Sequence, residues 1–140
     1  MEDVVQEAVS EFKRSFGNKH LNIKNLVSYV HSEFNCNVFF YDDTNFNGLM
    51  NDLDVLDFSK GKQGFTYKSR NCTSMLISLK FSYPDRVGTM LHEIGHLLMG
   101  HLDATDAEAD DQRYETQADA FAYQILVFYE NRKGGETDGN

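Results

Sequence analysis

The residues with the clearest chemical potential form the pentapeptide His92-Glu93-Ile94-Gly95-His96. Residues four apart on an α-helix differ by about 40° around the helix axis, so the two imidazoles would point to the same side. Two neutral imidazoles on one rigid face suit zinc, which binds histidine nitrogen at about 2.0–2.1 Å. The spacing therefore predicts that His92 and His96 bind zinc if this stretch is helical.

Glu93 follows the first histidine and would lie about 100° from it around the same axis, beside the metal and not on it. A carboxylate in that position can take a proton from a water molecule bound to the metal. We therefore predict that Glu93 is the base of a zinc-dependent hydrolase. The motif also fits two hydrogen-bonded histidines on a buried helix, so its structural context decides between the two interpretations.

The sequence around the motif predicts the helix that it needs. Ser82 can cap the helix N-terminus, Pro84 falls in the first turn where proline is tolerated, and Gly100 is a suitable stop. The helix is thus expected to run to about Met99, with leucine and isoleucine side chains on the sides that do not carry histidine.

A catalytic zinc normally has three protein ligands and one open position. His101 is poorly placed for this role, about 140° from His96 if the helix continued, and is interpreted as a helix-end histidine near the negative end of the helix dipole. Glu115 is the predicted third ligand, and Asp119, one turn later, is predicted to accept the other ring N–H of a ligating histidine. The competing carboxylates lie in a predicted loop or at its edge: Asp103, Asp106, Glu108, Asp110 and Asp111.

Hydrophobic spacing supplies the remaining elements. We predict helices at 4–16, 23–34 and 112–131, and strands at 38–41, 65–68 and 74–81. Residues 42–64 and 103–111 are predicted as loops, the first with room for one edge strand. This order predicts an α+β fold with one domain over residues 1–132 and a disordered tail over 133–140.

The stretch from His92 to His101, followed by Glu115-Thr-Gln-Ala-Asp-Ala-Phe-Ala122, resembles the ImmA/IrrE-type zinc metallopeptidases. The resemblance covers roughly residues 22–130. It implies a small zincin-like metallopeptidase domain with N-terminal helices, a short and mostly antiparallel sheet, an HExxH active-site helix and a C-terminal ligand helix. The segment after Phe121 departs from the family because it lacks the Met-Pro that often follows.

The same resemblance implies that His92, His96 and Glu115 bind Zn²⁺, that Glu93 is the catalytic base, and that Asp119 occupies the family's Asn/Asp position. It further implies an endopeptidase whose protein substrate is a helix-turn-helix transcriptional repressor of a phage, mobile element or stress response. The oxyanion-stabilising residue stays open among Tyr114, Tyr67, Tyr83 and His101.

Composition excludes several other classes of protein. The formal net charge is −9, with 13 basic residues scattered among 22 acidic ones, so direct nucleic-acid binding is not expected. The acidic start and the absence of a long apolar run predict no signal peptide and no membrane span, hence a cytoplasmic protein, expected to be a monomer. Cys36 and Cys72 form no CxxC motif and are expected to be buried thiols.

Two other functions are compatible with the sequence. The first is a regulatory protein that binds a repressor without cleaving it, with an apolar contact surface that could include Phe39, Phe40, Phe46 and Phe58, although core packing explains most of these residues. The second is a structural zinc protein, in which the metal holds the fold and has no open coordination position.

Overall fold

The computed structural model describes residues 3–46, 48, 63–68, 72–103 and 107–134. Within these ranges the chain forms four α-helices, three strands and one short 3₁₀ helix. Their order along the chain is α1 (Asp3–Phe16), α2 (Ile23–Phe34), β1 (Cys36–Tyr41), β2 (Gly64–Lys68), β3 (Thr73–Ser78), α3 (Tyr83–Leu98), the 3₁₀ helix (His101–Asp103) and α4 (Ala107–Gly134). This is the predicted α+β fold class, and the domain limits of 1–132 stay a prediction.

The two N-terminal helices form where hydrophobic spacing predicts them. Asn22 caps α2 by accepting a hydrogen bond from the backbone N–H of Asn25 at 2.8 Å, as expected for an N-cap residue. Phe12 is fully buried and lies at the centre of an aromatic cluster in which α1, α2 and α4 meet. Its ring centroid is 4.9 Å from that of Tyr29 and 5.9 Å from that of Phe121.

The sheet has the strand order β1-β3-β2. β2 pairs antiparallel with β3, but β1 pairs parallel with β3, so the expectation of a mostly antiparallel sheet holds for one of the two pairings. A parallel pairing requires a crossover, and no local turn signal in the sequence reports it. β3 ends at Ser78 and not at residue 81, because residues 79–81 form a turn and bend before α3.

Helix α3 begins as predicted, with the Ser82 hydroxyl accepting a hydrogen bond from the Asp85 N–H at 3.4 Å. It ends at Leu98, and Gly100 adopts a left-handed conformation with φ of 73°. Glycine takes this conformation without strain, which lets the chain reverse here. The reversal brings His101 back towards the end of α3.

Helix α4 is longer than predicted at both ends. It begins at Ala107, so the predicted loop over 103–111 is wrong for residues 107–111. This stretch is polar and lacks the periodicity that marks a packed helix, but alanine and glutamate are strong helix formers and acidic residues favour a first turn. Residues 133 and 134 are helical and not tail, and residues 135–140 lie outside the described residues.

The phenylalanines of the suggested contact surface pack inside the fold where they are described. Phe40 packs against the main core, and Phe39 and Phe46 pack against a smaller cluster around Leu76. Phe58 and most of the predicted 42–64 loop lie outside the described residues. None of the described helices is long and apolar enough to cross a membrane. Cys36 is a buried thiol as expected, but Cys72 is exposed.

Candidate metal centre

Helix α3 directs two imidazoles to one point. The Nε2 atoms of His92 and His96 lie 3.1 Å apart, as expected for side chains one helical turn apart on the same face. His96 is only 8% exposed, and both imidazoles line an open cleft. The motif therefore presents two metal-binding nitrogens at the edge of the core.

Helix α4 brings the Glu115 carboxylate to the same point. Its Oε1 lies 3.0 Å from His92 Nε2, and its Oε2 lies 3.0 Å from His96 Nε2. One ligand atom from each of these three residues lies within 4.8 Å of the others, which makes them a possible metal-binding group. The closeness of α3 and α4 that this requires depends on small residues, since Ala118 is fully buried and Gly95 faces Phe121.

Asp119 lies one turn beyond Glu115 and contacts the far side of the first imidazole. Its Oδ1 is 2.8 Å from His92 Nδ1. A carboxylate can only accept, so Nδ1 donates, and the neutral ring then carries no proton on Nε2. Asp119 thus orients His92 with Nε2 available as a ligand, the arrangement in which a carboxylate supports a metal-binding histidine.

His101 supports the second imidazole, which corrects its interpretation as a simple helix-end histidine. It is 7% exposed, its Nδ1 lies 2.8 Å from His96 Nδ1, and its ring stacks on Tyr114 with centroids 4.1 Å apart. On its other side, Nε2 lies 2.8 Å from the Oε1 of Gln117, a buried side chain. Burial lowers the pKa of His101 below its usual value, while the hydrogen bond with Gln117 acts in the opposite direction.

These contacts fix the protons on three side chains in a row. Gln117 Oε1 accepts, so His101 Nε2 is the donor to it, and the neutral His101 ring must then accept at Nδ1. His96 Nδ1 therefore donates to His101 and its Nε2 carries no proton. Both histidines of the motif are thus held in the tautomer that leaves Nε2 free of a proton.

Glu93 lies beside this point, on the face of α3 that meets the sheet. Its side chain is 6% exposed, and its Oε1 accepts a hydrogen bond of 2.7 Å from the Thr66 hydroxyl on β2. A buried carboxylate needs such a donor, and the bond also fixes the direction of the second oxygen. The side chain is thereby positioned next to the metal-binding atoms without being one of the three.

A cleft of about 970 Å³ opens over these residues. β2 forms one wall, the N-terminal half of α3 forms the floor, and α4 forms the other wall. Of the four candidate oxyanion donors, Tyr114 and His101 line the cleft. Tyr83 instead accepts a hydrogen bond from the Ile23 N–H at 2.9 Å, and Tyr67 packs against the cluster around Leu76.

Comparison with known families identifies the family of the chain. The family model of peptidase M78, described as the IrrE N-terminal-like domain, matches residues 32–131. The chain belongs to this family. It shows no significant similarity to a curated protein or to a solved structure. Membership in M78 confirms the family resemblance and supports a metallopeptidase-type function.

The donor set of this M78 domain fits a divalent cation. Two unprotonated Nε2 atoms at 3.1 Å and carboxylate oxygens at 3.0 Å repel one another unless a positive charge lies between them. In a tetrahedral site with bonds near 2.0 Å, neighbouring ligand atoms lie about 3.3 Å apart. The observed spacings are close to that value, so the residues present can hold a metal ion such as zinc.

Three supporting residues of the M78 domain were not found by sequence reasoning. Thr66, Gln117 and the supporting role of His101 all depend on contacts between distant elements. The Gly100-His101 pair after the motif is visible in the sequence, but helical angles continued from α3 do not place His101 beside His96. Thr66 lies in a short strand that also carries the hydroxyl of Tyr67, and nothing in its local sequence distinguishes it.

Proposed function

We propose that the chain is a zinc-dependent endopeptidase that hydrolyses a peptide bond in a protein substrate. The observation that carries this proposal is the buried Glu93 carboxylate, held by Thr66 next to the converging ligand atoms of His92, His96 and Glu115. A buried carboxylate beside a metal-binding group and open to a cleft is the arrangement that a hydrolytic base requires.

The ligand set of two histidines and one glutamate is that of catalytic zinc sites with an open fourth position. When bound there, zinc supplies a Lewis acid that polarises a carbonyl and lowers the pKa of water towards 7. Zinc is preferred to magnesium or calcium because imidazole nitrogen is a poor ligand for those harder cations.

The chain's own residues provide the proton transfers and the orientation. Glu93 takes a proton from the attacking water and delivers it to the leaving amine, while Thr66 keeps the carboxylate in place. Of the cleft-lining oxyanion candidates, His101 uses both ring nitrogens in hydrogen bonds, so Tyr114 is the proposed donor to the developing oxyanion. Tyr114→Phe should then lower kcat with little change in KM.

The edge of the sheet supports a peptide as the substrate. Ser78 N–H donates to Gln63 C=O at 2.8 Å, which places residue 63 in a hydrogen-bonded pair with β3. Because such pairs alternate along antiparallel strands, the main-chain groups of Gly64 and Thr66 point away from β3. In the described part of the sheet β2 is an edge strand lining the cleft, so an extended peptide could pair with it.

The resemblance to the ImmA/IrrE-type peptidases suggests the substrate. We propose a helix-turn-helix transcriptional repressor, as in regulation by phages, mobile elements or stress. The charge of −9 supports recognition of the repressor as a protein and not through its DNA, because phosphates would be repelled.

The test compares the wild-type protein with Glu93→Gln and with the matched control Glu130→Gln, which makes the same change at an exposed position of α4. Each Zn²⁺-loaded protein is mixed with candidate repressors and with a cell extract, and cleaved proteins are identified by mass spectrometry. We expect fragments with wild type and Glu130→Gln, and a rate about 10²–10⁴ times lower with Glu93→Gln at unchanged zinc content.

Full activity of Glu93→Gln would show that the base is assigned incorrectly. A stable complex with a repressor, without fragments from any of the three proteins, would instead favour the non-cleaving regulatory function. Fragments that persist in the presence of a chelator would exclude a metal-dependent reaction.

A further inference from the structure

The cleft extends well beyond the metal-binding group, along the N-terminal half of α3. Pro84, Asp85, Gly88 and Thr89 line this extension. Asp85 precedes His92 by seven residues, which is about two helical turns or 10.5 Å along the axis, so both side chains lie on nearly the same side of α3. An extended peptide advances about 3.3 Å per residue, so Asp85 lies about three substrate residues from the metal site.

Gly88 makes the floor of this extension open. It lies between Asp85 and His92 on α3, and a Cβ added to it would meet nothing within 4 Å. Gly64, on the β2 wall of the cleft, is closely packed instead, because an added Cβ there would lie 2.6 Å from Thr89 Cγ2. The space above Gly88 is therefore not used for packing and is open to the cleft.

An apolar side chain, Leu126, lies towards the far end of the extension. His96 contacts Glu115 and His92 contacts Asp119, so α3 and α4 run in opposite directions along the cleft. Leu126 also lines the cleft, seven residues after Asp119 on α4. By the same helical geometry it lies about two turns from Asp119, towards the end of the cleft at which Asp85 is found.

The charges that line the cleft are all negative. They belong to Asp85, Glu93, Glu115 and Asp119, and no lysine or arginine is among the lining residues that the structure describes. A divalent ion would offset two of these four charges. The N-terminus of α3 contributes only about half a positive charge, less than the full negative charge of Asp85.

Arg86, which follows Asp85 in the sequence, is turned away from this site. Arg86 donates from Nε to the Phe81 carbonyl at 3.1 Å, and its guanidinium lies 5.8 Å from the centre of the Tyr83 ring. Arg86 is not part of the cleft lining. Among the described residues, no basic side chain of the cleft lining competes for the carboxylate of Asp85.

We propose that Asp85, Gly88 and Leu126 form a specificity subsite for a lysine or arginine side chain of the substrate, about three residues from the scissile bond. This assignment rests on the proposed peptidase function. The aliphatic stem of a long cationic side chain would lie over Gly88 and against Leu126, while its charged group would pair with Asp85. The acidic cleft would also accelerate association with basic segments.

The experiment measures kcat/KM of the Zn²⁺-loaded protein on a peptide library derived from a sequence that wild type cleaves, with single positions varied around the cut. We expect wild type to prefer lysine or arginine over glutamine by about fivefold at one position about three residues from the cut, the effect of one exposed ion pair. In Asp85→Asn the ratio should fall to about 1, and Asp85→Lys should favour glutamate. Glu7→Gln, an exposed glutamate on α1, is the matched control and should retain the wild-type ratio.

A variant that fills the space above Gly88 tests the open floor of the subsite separately from the charge of Asp85. Gly88→Leu adds a side chain where nothing lies within 4 Å, so the fold should accept it, and it should shift the preference at the same position to glycine or alanine. A lysine preference that persists in Asp85→Asn, or an absence of basic preference in wild type, would overturn the subsite.

A binding measurement keeps the subsite testable if no peptide is cleaved. Fluorescence anisotropy compares a lysine-bearing and a glutamine-bearing peptide for binding to Glu93→Gln protein, with and without the added change Asp85→Asn. A lysine preference of about fivefold that disappears with Asp85→Asn supports the subsite even when hydrolysis fails, whereas equal binding of the two peptides refutes it. Loss of cleavage with retained preference would thus count against the peptidase proposal alone.

Discussion

Two glycines of α3 should respond differently to the same substitution. Alanine in place of glycine stabilises a helix by about 1 kcal/mol when nothing else changes. At Gly88 an added Cβ meets nothing within 4 Å, so Gly88→Ala should raise the free energy of unfolding by about that amount. At Gly95 the added Cβ would lie 3.0 Å from Phe121 Cδ2 and 3.3 Å from Phe121 Cβ and Cγ.

Phe121 has little freedom to move away from such a contact. It is fully buried, and its ring packs edge-on against Phe12 with centroids 5.9 Å apart. Overpacking of this kind typically costs about 1–3 kcal/mol. Since the gain in helix propensity is common to both variants, Gly95→Ala should be about 1–3 kcal/mol less stable than Gly88→Ala, or melt roughly 3–10 °C lower in a chain of this length.

The assay is urea unfolding followed by far-ultraviolet circular dichroism, in EDTA so that metal binding does not contribute to stability. A double-mutant cycle with Phe121→Leu tests the cause, since the cost of Gly95→Ala should shrink when the opposing ring is smaller. If Gly95→Ala proves as stable as Gly88→Ala, the close approach of α3 and α4 does not constrain residue 95 as the structure indicates.

Four further predictions concern the site and the core. Thr66→Val removes the hydrogen bond to Glu93 while keeping the side-chain shape, and should lower kcat about tenfold or more at unchanged zinc affinity, measured by steady-state kinetics and chelator competition. His101→Ala should weaken zinc binding about 10–100-fold in the same competition, and His101→Asn should recover part of it. Chelation should leave the far-ultraviolet circular dichroism unchanged, because the hydrophobic core does not include the proposed metal ligands. It should lower the melting temperature, because bound metal would stabilise the folded state. Burial raises the pKa of Cys36 from 9.0 to about 11, so between these pH values the thiol ionises in the unfolded chain but not in the folded one. The free energy of unfolding, measured by urea titration, should therefore fall as pH rises from about 9 to 11, and Cys36→Ala should reduce this dependence on pH.

The parts of the fold that the sequence predicted are those with local causes. Asn22 and Ser82 were expected to cap α2 and α3, and both accept hydrogen bonds from the N–H three residues later. The helical spacing of His92 and His96 was equally local. Glu115 belongs to a second motif, and its distance along the chain from the first motif does not determine where its side chain lies. The structure places its carboxylate beside both imidazole rings.

The parts that sequence reasoning missed depend on tertiary contacts. The parallel pairing of β1 with β3 joins segments that are far apart in sequence, and the hydrophobic pattern of β1 is compatible with either direction. Helical angles predict that His101 points away from His96. The left-handed turn at Gly100 places it beside His96 instead. The role of Thr66 required knowing which face of β2 meets α3.

Helix α3 connects the site to the rest of the fold because successive residues of its motif meet different partners. His92 meets Asp119 on α4, Glu93 meets β2, and His96 meets the chain after the helix. Ile94 lies in the core and Gly95 lies against α4. A shift of a few tenths of an ångström between α3 and α4 would therefore separate Glu115 from the imidazoles while every helix remained formed. If the site binds zinc as proposed, its metal affinity depends on the packing of these three elements and should respond to core substitutions well before the fold is lost.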